Sequence, residues 1–200
     1  MTSFIDSKFK VIIVGDGKVG KTHFVKTINR TDFSSSYIPT KGVDVSKLKF
    51  DNVILDIWDC GGSPGHKGLE DSYYLNANAA IVMFDFTNLS SYQNVSSHIK
   101  SITRVCENIP IIICGNNYKQ NKIQCVNTKD LLRFIHRTRR SYYNISVNDM
   151  YNIDKPFNEI VKKYYKPRDQ EEFHTINLNE SSSLSSLNKE INQNHCCTIL

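Results

Sequence analysis

One stretch near the start of the chain constrains its fold more than any other, Gly15-Asp16-Gly17-Lys18-Val19-Gly20-Lys21-Thr22. It fits the pattern G-x-x-x-x-G-K-[ST], a loop whose backbone N–H groups surround phosphate oxygens. An apolar, β-branched run at 9–14 predicts a buried strand before the loop, and the apolar spacing of 23–30 predicts a helix after it. Strand, glycine loop and helix are the context that this motif needs, which makes a chance glycine turn the poorer interpretation.

The chemistry expected of this loop follows from its backbone and two side chains. Its three glycines allow conformations and a close approach that a Cβ would forbid. Successive N–H groups and the positive end of the next helix can then face a β-phosphate. Lys21 adds a positive charge between the β- and γ-phosphates, and the Thr22 hydroxyl is a hard oxygen ligand for Mg²⁺.

The rest of the sequence alternates between strand-like and helix-like segments. Strands are predicted over 9–14, 43–50, 53–58, 79–85, 110–115 and 141–146, and helices over 23–30, 90–108, 128–137 and 152–165. The second helix is expected to turn Val95, Ile99, Ile102 and Val105 inward, the third Leu131, Leu132 and Ile135, and the last Ile153, Phe157, Ile160 and Val161. A turn signal at 51–52 indicates that its two neighbouring strands pair antiparallel.

This alternation predicts an α/β fold with a mainly parallel, six-stranded sheet and helices on both faces. Ligands bind at the carboxyl ends of the strands in such sheets. The phosphate-binding loop, Asp59, Asn116 and Ser146 all lie at predicted strand ends. We therefore expect these four features to meet at one edge of the sheet.

Length and composition suit one domain with a polar tail. The chain has 200 residues, of which 40% are hydrophobic and 22% charged. We assign a nucleotide-binding domain to 1–167 and a disordered, Ser- and Asn-rich tether to 168–200. The net charge of +5 is also what an ordinary solvated surface gives, and no Lys/Arg run indicates nucleic-acid binding. The longest apolar runs are strand-sized, so no membrane-spanning helix is expected.

With these motifs in place, the sequence resembles the Ras superfamily of small GTPases over about 9–167, and this body is most similar to the Ran branch. The resemblance rests on the phosphate-binding loop, Tyr37-Ile38-Pro39-Thr40-Lys41-Gly42-Val43, Ile57-Trp58-Asp59, Gly68-Leu69 with Tyr73-Tyr74, Met83-Phe84-Asp85, the run at 104–111, and Lys155-Pro156-Phe157. It implies a small-GTPase (G domain) fold and a molecular switch that binds GTP or GDP with Mg²⁺. It also implies effector and exchange-factor proteins that contact 37–45 and 63–74.

The resemblance also assigns roles to residues. Thr40 is implied to bind Mg²⁺ and sense the γ-phosphate, Asp59 to hold Mg²⁺ through water, and the Gly62 N–H to meet the γ-phosphate. A plain loop threonine and a strand-end cap are the competing interpretations of Thr40 and Asp59. The implied nucleotide-binding set is Gly15, Asp16, Gly17, Lys18, Val19, Gly20, Lys21, Thr22, Thr40, Asp59, Gly62, Asn116, Asn117, Lys119, Ser146 and Val147, with Thr22, Thr40 and Asp59 as the metal ligands.

Several positions depart from the family pattern. Ser63 stands at the catalytic position where the family has the glutamine that orients the attacking water. In the base-reading pattern N-K-x-D, Asn117 replaces the lysine and Lys119 the aspartate, and a lysine has no hydrogen-bond acceptor. The family's S-A-K loop is Ser146-Val147-Asn148, where the Val147 N–H could still meet the guanine oxygen. The sequence therefore predicts an intact phosphate half, a degraded base half and slow hydrolysis.

The last residues differ from the Ran branch and look like the prenylated Rab or Rho type. Cys197-Thr198-Ile199-Leu200 fits C-a-a-X, and a final leucine favours a geranylgeranyl group. Cys196 is a second candidate lipid site, while two accidental terminal cysteines are the competing interpretation. A lipid anchor would place the protein on the cytoplasmic face of a membrane, and without it the protein would lie in the cytosol or nucleus.

Three functions remain open on the sequence alone. The first is a membrane-tethered switch that recruits partners in signalling or trafficking. The second is a degenerate pseudo-GTPase, an interaction module whose nucleotide binding is weak or does not cycle. The third, an ATP-using enzyme with the same loop, is disfavoured because no substrate-binding insertion or lid is visible in the sequence. Guanine nucleotide, no nucleotide or adenine nucleotide in the purified protein would separate them.

Overall fold

The computed structural model describes residues 7–31, 38–50, 53–62, 70–117 and 124–164. All of them belong to one compact unit that ends at Gln170. The six strands are β1 (Ser7–Val14), β2 (Val43–Phe50), β3 (Val53–Cys60), β4 (Ala79–Asp85), β5 (Ile111–Asn116) and β6 (Tyr142–Ile145). The six helices are α1 (Lys21–Ile28), α2 (Glu70–Tyr74), α3 (Leu89–Gln93), α4 (Val95–Val105), α5 (Thr128–Thr138) and α6 (Lys155–Tyr164).

The strands form one sheet in the order β2-β3-β1-β4-β5-β6. β2 pairs with β3 antiparallel, and each of the other neighbouring pairs is parallel. The predicted fold class and the predicted antiparallel pair are therefore confirmed. From β1, the chain goes first to one side of the sheet and later to the other, and such a reversal opens a crevice at the strand ends. The phosphate-binding loop leaves β1 at this point.

The core follows from the apolar strands. Every residue of β4 and β5 is buried, as expected for central parallel strands that are covered on both faces. Phe24 of α1 and Phe157 of α6 are both fully buried, and their rings stack with centroids 5.2 Å apart. This packing holds α1, and with it the end of the phosphate-binding loop, against the rest of the domain.

Several details of the predicted helices are wrong. The last helix, predicted from 152, begins at Lys155. The segment predicted as one helix over 90–108 is two helices, α3 and α4, which meet at Asn94. Leu132, predicted to point inward, is 44% exposed, whereas Leu131 is buried. Consecutive helical residues lie about 100° apart around the axis, so only one of these two leucines faces the core.

Some sequence-based expectations concern residues beyond those the structure describes. The tether at 168–200, its two cysteines, Ser63 and Lys119 all lie there, so these expectations remain predictions. Among the described residues, no helix combines the length and apolar character needed to cross a membrane.

Candidate functional site

The phosphate-binding loop joins β1 to α1 at the carboxyl edge of the sheet. Gly15 has a φ of +148°, and a Cβ there would lie 2.2 Å from the Met83 carbonyl oxygen of β4. That distance is far below van der Waals contact, so glycine is required for the loop to leave the sheet at this point. The motif glycine thus serves packing against the neighbouring strand as well as loop geometry.

Lys21 is the first residue of α1 and folds back over the loop. Its Nζ donates hydrogen bonds to the carbonyl oxygens of Gly15 at 2.7 Å and Asp16 at 2.8 Å. The side chain is only 6% exposed, and this burial lowers the pKa of Lys21, while the nearby Asp59 carboxylate opposes the shift. The loop therefore orients the ammonium group at the mouth of the site, where phosphate oxygens could join its hydrogen bonds.

Three oxygen-bearing side chains from separate elements meet beside Lys21. The Thr22 hydroxyl of α1 donates to Asp59 Oδ2 of β3 at 2.5 Å and lies 3.0 Å from the Thr40 hydroxyl. The Thr40 hydroxyl also donates to Asp59 Oδ2, at 3.5 Å. Thr40 immediately precedes the turn into β2, so three parts of the chain supply one small cluster. The structure thus brings together the three side chains that were predicted as metal ligands.

The cluster has the properties of a cation site. Asp59 is 2% exposed, and its Oδ1 has no hydrogen-bond partner among the described residues. Burial raises the pKa of Asp59, because its charge is removed from water. An unpartnered buried carboxylate oxygen is costly, and a hard cation with a preference for oxygen ligands would satisfy it. The residues present fit Mg²⁺, which Thr22, Thr40 and Asp59 would hold, directly or through water; its charge would offset that of bound phosphates.

The end of β3 lies directly against the phosphate-binding loop. A Cβ on Gly62 would lie 2.5 Å from the Gly15 carbonyl oxygen and 2.5 Å from the Gly17 nitrogen. The preceding Gly61 N–H donates to the Gly42 carbonyl oxygen at 2.7 Å. β3 therefore connects the loop to the segment that carries Thr40.

The predicted base half of the site is built around Asn116, the last residue of β5. Its fully buried side chain donates from Nδ2 to the Val19 carbonyl oxygen at 3.0 Å. Its Oδ1 accepts a long hydrogen bond, 3.4 Å, from the Val147 N–H. The neighbouring Asn117 N–H donates to the Ile145 carbonyl oxygen at 2.8 Å. Asn116 therefore joins the phosphate-binding loop to the loop after β6.

A comparison with models of known protein families matches residues 10–166 to the Ras family. The match covers most of the chain and includes every strand and helix described above except the start of β1.

The chain belongs to the Ras family. It is thus a small-GTPase-like, nucleotide-binding switch protein, and proteins of this family bind GTP and GDP, generally with Mg²⁺. The family fold also implies effector and regulator partners. The Ras-family site described here has its phosphate half assembled from the loop, α1, β3 and the segment around Thr40, and its Asn116 joins that half to the loop after β6.

Two contacts of this Ras-family site were missed at the level of sequence. The Ser146 hydroxyl donates to Asp149 Oδ2 at 2.5 Å, and the Asp149 N–H donates back to Ser146 Oγ at 3.4 Å. The spacing S-x-x-D, which is typical of a capping box, could have indicated this pair. The Asp16 carboxylate contacts Asn94 and His98, the latter on α4. No sequence motif marks this contact, because it depends on how α4 packs beside the loop.

Proposed function

We propose that this Ras-family protein is a membrane-tethered molecular switch. It binds GTP or GDP with Mg²⁺, and effector and exchange-factor proteins bind it through 37–45 and 63–74. Its body is Ran-like, whereas its end is of the prenylated Rab or Rho type, with a geranylgeranyl group on Cys197 and a second lipid on Cys196. Prenylation holds it on the cytoplasmic face of a membrane, where it recruits effectors in signalling or trafficking.

The observation that carries the nucleotide-binding proposal is the cluster around Asp59. Lys21 is already oriented by two loop carbonyls, and Thr22 and Thr40 share one oxygen of Asp59 while the other oxygen has no partner among the described residues. Buried carboxylate oxygens without a partner are uncommon in folded proteins; Asp56 Oδ1 is another on β3, but only Asp59 lies beside Lys21, Thr22 and Thr40. A site that awaits a cation and an anion accounts for both the unpaired oxygen and the oriented ammonium group.

Partner binding is supported by exposed apolar side chains near the expected contact segments. Ile38 is 73% exposed and Val45 is 49% exposed, and both lie within 37–45. Leu75, directly after α2, is 54% exposed. Contiguous exposed apolar patches are typical of protein-interaction surfaces, and these side chains could contribute to such a patch.

The test is nucleotide retention by the purified protein and by Lys21→Ala. We expect the wild-type protein to retain guanine nucleotide through gel filtration in Mg²⁺ and to release it in excess EDTA. Lys21→Ala removes the oriented charge and should abolish retention. Lys26→Ala is the matched control, because it removes a charge from the last turn of the same helix and should retain nucleotide. Equal retention by the wild type and Lys21→Ala would contradict the proposal.

A pseudo-GTPase interaction module is the second candidate, and the substitutions Ser63, Asn117 and Lys119 favour it. On this alternative the protein binds the same partners whether or not nucleotide is present. Partner capture with GDP-loaded, GTP-analogue-loaded and nucleotide-free protein distinguishes the two functions. Capture that depends on the γ-phosphate supports the switch, and capture that is indifferent to it supports the module.

A further inference from the structure

Asp16 places a carboxylate inside the loop that is proposed to bind phosphates. Like charges repel, so a carboxylate that was free to turn towards the phosphates would weaken their binding. In the structure both of its oxygens are engaged elsewhere. Oδ1 lies 2.7 Å from His98 Nε2, and Oδ2 accepts a hydrogen bond from Asn94 Nδ2 at 2.8 Å. An ionised carboxylate only accepts hydrogen bonds, so the histidine nitrogen is the donor.

The two donors belong to one helix end. Asn94 is the N-cap residue of α4 and His98 lies four residues later, so their side chains lie on the same face of the helix. Asn94 makes no side-chain bond to its own helix, whereas Asn88 and Asn127 cap α3 and α5 in the ordinary way. The Asn94 amide therefore contacts the loop instead of capping α4 locally. The positive end of the α4 dipole further favours a carboxylate at this place.

The backbone of Asp16 is part of the site even though its side chain is held away from it. Its carbonyl oxygen accepts the hydrogen bond from Lys21 Nζ at 2.8 Å. The contacts with Asn94 and His98 therefore control two things at once. They hold the loop backbone at the residue that contacts Lys21, and they keep the negative charge against α4.

We propose that Asn94 and His98 are positioning residues of the nucleotide site. By holding and shielding the Asp16 carboxylate against α4, they set the affinity of the loop for nucleotide phosphates. This inference rests on the proposed nucleotide binding. The effect is larger for a triphosphate than for a diphosphate, because the triphosphate brings more negative charge to the loop.

The first measurement is the dissociation constant of GTP and of GDP, each with Mg²⁺, for the full-length protein after nucleotide removal. The double variant Asn94→Ala/His98→Leu lacks both donors. The double variant loses two partly exposed hydrogen bonds to a charged group. We therefore expect its dissociation constant for GTP to rise about 10-fold. Its dissociation constant for GDP should rise less. His98→Gln retains an N–H donor and should bind close to the wild-type value.

A charge-removal variant separates positioning of the carboxylate from a role in folding alone. Asp16→Asn, added to the double variant, deletes the charge that the double variant has freed. We expect it to recover most of the lost GTP affinity. If the contacts only stabilised the fold, removing the charge would recover nothing.

Arg104→Ala is the matched control on the same helix. The Arg104 guanidinium donates to both oxygens of Asp71 on α2, at 2.7 and 2.9 Å. This ion pair also joins α4 to a carboxylate, but the carboxylate is exposed and lies outside the phosphate-binding loop. Loss of the ion pair should therefore leave GTP affinity unchanged. Thermal unfolding of each nucleotide-free variant checks that it is folded.

Inorganic pyrophosphate with Mg²⁺ is the second probe, because it needs no base-binding half. If the wild type binds pyrophosphate but no guanine nucleotide, the proposed function fails and the pyrophosphate affinities of the same variants decide the inference. The inference is overturned if the double variant binds like the wild type, or if Asp16→Asn recovers no affinity. A wild type that binds neither probe contradicts both proposals.

Discussion

At the scale of single residues, we expect position 119 to affect which hydrogen bonds a bound base can make. The Ras-family pattern places there an aspartate that accepts two hydrogen bonds from the guanine edge, and this chain has Lys119. Lysine offers only donors, so we expect the guanine N–H groups to lack their charged acceptor. The neighbouring Asn116 still joins the phosphate-binding loop to the loop after β6. The loss therefore concerns base selectivity and leaves the framework of the site in place.

We predict a weakened preference for guanine. A hydrogen bond to a charged group contributes about 1.5–3 kcal/mol, roughly 10- to 150-fold in affinity. The affinity for GDP divided by that for inosine diphosphate, which lacks the guanine amino group, should therefore be smaller than in relatives with the complete motif. Lys119→Asp should increase this ratio. Competition binding with the two nucleotides measures both ratios. Full family-like discrimination by the wild type would mean that another group reads the base.

We also predict very slow intrinsic hydrolysis. Phosphoryl transfer depends on positioning and charge stabilisation, and Lys21, with the Mg²⁺ that Asp59 would help to hold, can still supply charge stabilisation. We expect the Ser63 side chain to be too short to orient the attacking water as a glutamine does, and the sequence places a proline, Pro64, directly after it, whose fixed φ is expected to restrict movement towards the water. Ser63→Gln should raise the single-turnover rate. If the wild-type protein alone already matches a glutamine-bearing relative in that assay, Ser63 is not the cause of slow turnover.

The sequence predicted site residues that lie in a short motif or at the end of a strand. It did not predict contacts that depend on how distant segments pack together. The phosphate-binding motif predicted Lys21 and Thr22, because strand, loop and helix fix where their side chains lie, and Asp59 was predicted from its place at a strand end together with the family resemblance. The contacts of Asp16 with Asn94 and His98 span 78 and 82 positions. No local pattern reports such a separation, since it depends on how α4 packs beside the loop.

At the scale of elements, the periodicity of apolar residues predicted all six strand segments in their order along the chain. It did not separate α3 from α4, because the two helices share Asn94: its N–H donates to the Ser90 carbonyl of α3, and its carbonyl accepts from the His98 N–H of α4. Neither Gly nor Pro marks that junction in the sequence.

The start of α6 was predicted too early, at 152. Pro156 in the first turn was the available signal, because proline is tolerated at the start of a helix and not within it.

The contact between the end of β3 and the phosphate-binding loop gives an element-scale prediction. Gly62→Ala places a Cβ within 2.5 Å of loop backbone atoms, which cannot move aside as a flexible side chain could. We expect β3 and the loop to separate locally, so that GTP affinity falls at least about 10-fold, the range of one lost charged hydrogen bond. Titration with a fluorescent GTP analogue measures this.

Gly68→Ala is the control for that substitution, because it makes the same chemical change six residues further along the chain, away from the contact between Gly62 and the phosphate-binding loop. It should bind GTP as the wild type does. Unchanged GTP affinity in Gly62→Ala would show that the loop tolerates displacement of β3.

At the scale of the whole molecule, the sheet gathers the functional groups at one edge. β1, β3 and β5 run in the same direction, so their carboxyl ends bring the phosphate-binding loop, Asp59 and Asn116 together. This arrangement was predictable, because the rule for parallel sheets needs only the order and type of the elements. The side-chain geometry within the edge was not, because it depends on contacts between distant segments.

At this scale we also predict that a lipid on Cys197 anchors the domain to a membrane. A single lipid chain gives only marginal, reversible membrane binding, so stable anchoring needs a second signal. From position 168 onward there are two basic residues, Arg168 and Lys189, against five acidic ones, Asp169, Glu171, Glu172, Glu180 and Glu190. A polybasic patch therefore cannot supply that signal, and Cys196 can, as the site of a second lipid. Intact-mass measurement of protein from its own cells should show a prenyl adduct and loss of 198–200, and Cys196→Ser should shift the protein from membrane to soluble fractions. An unmodified, full-length C-terminus would refute the anchor.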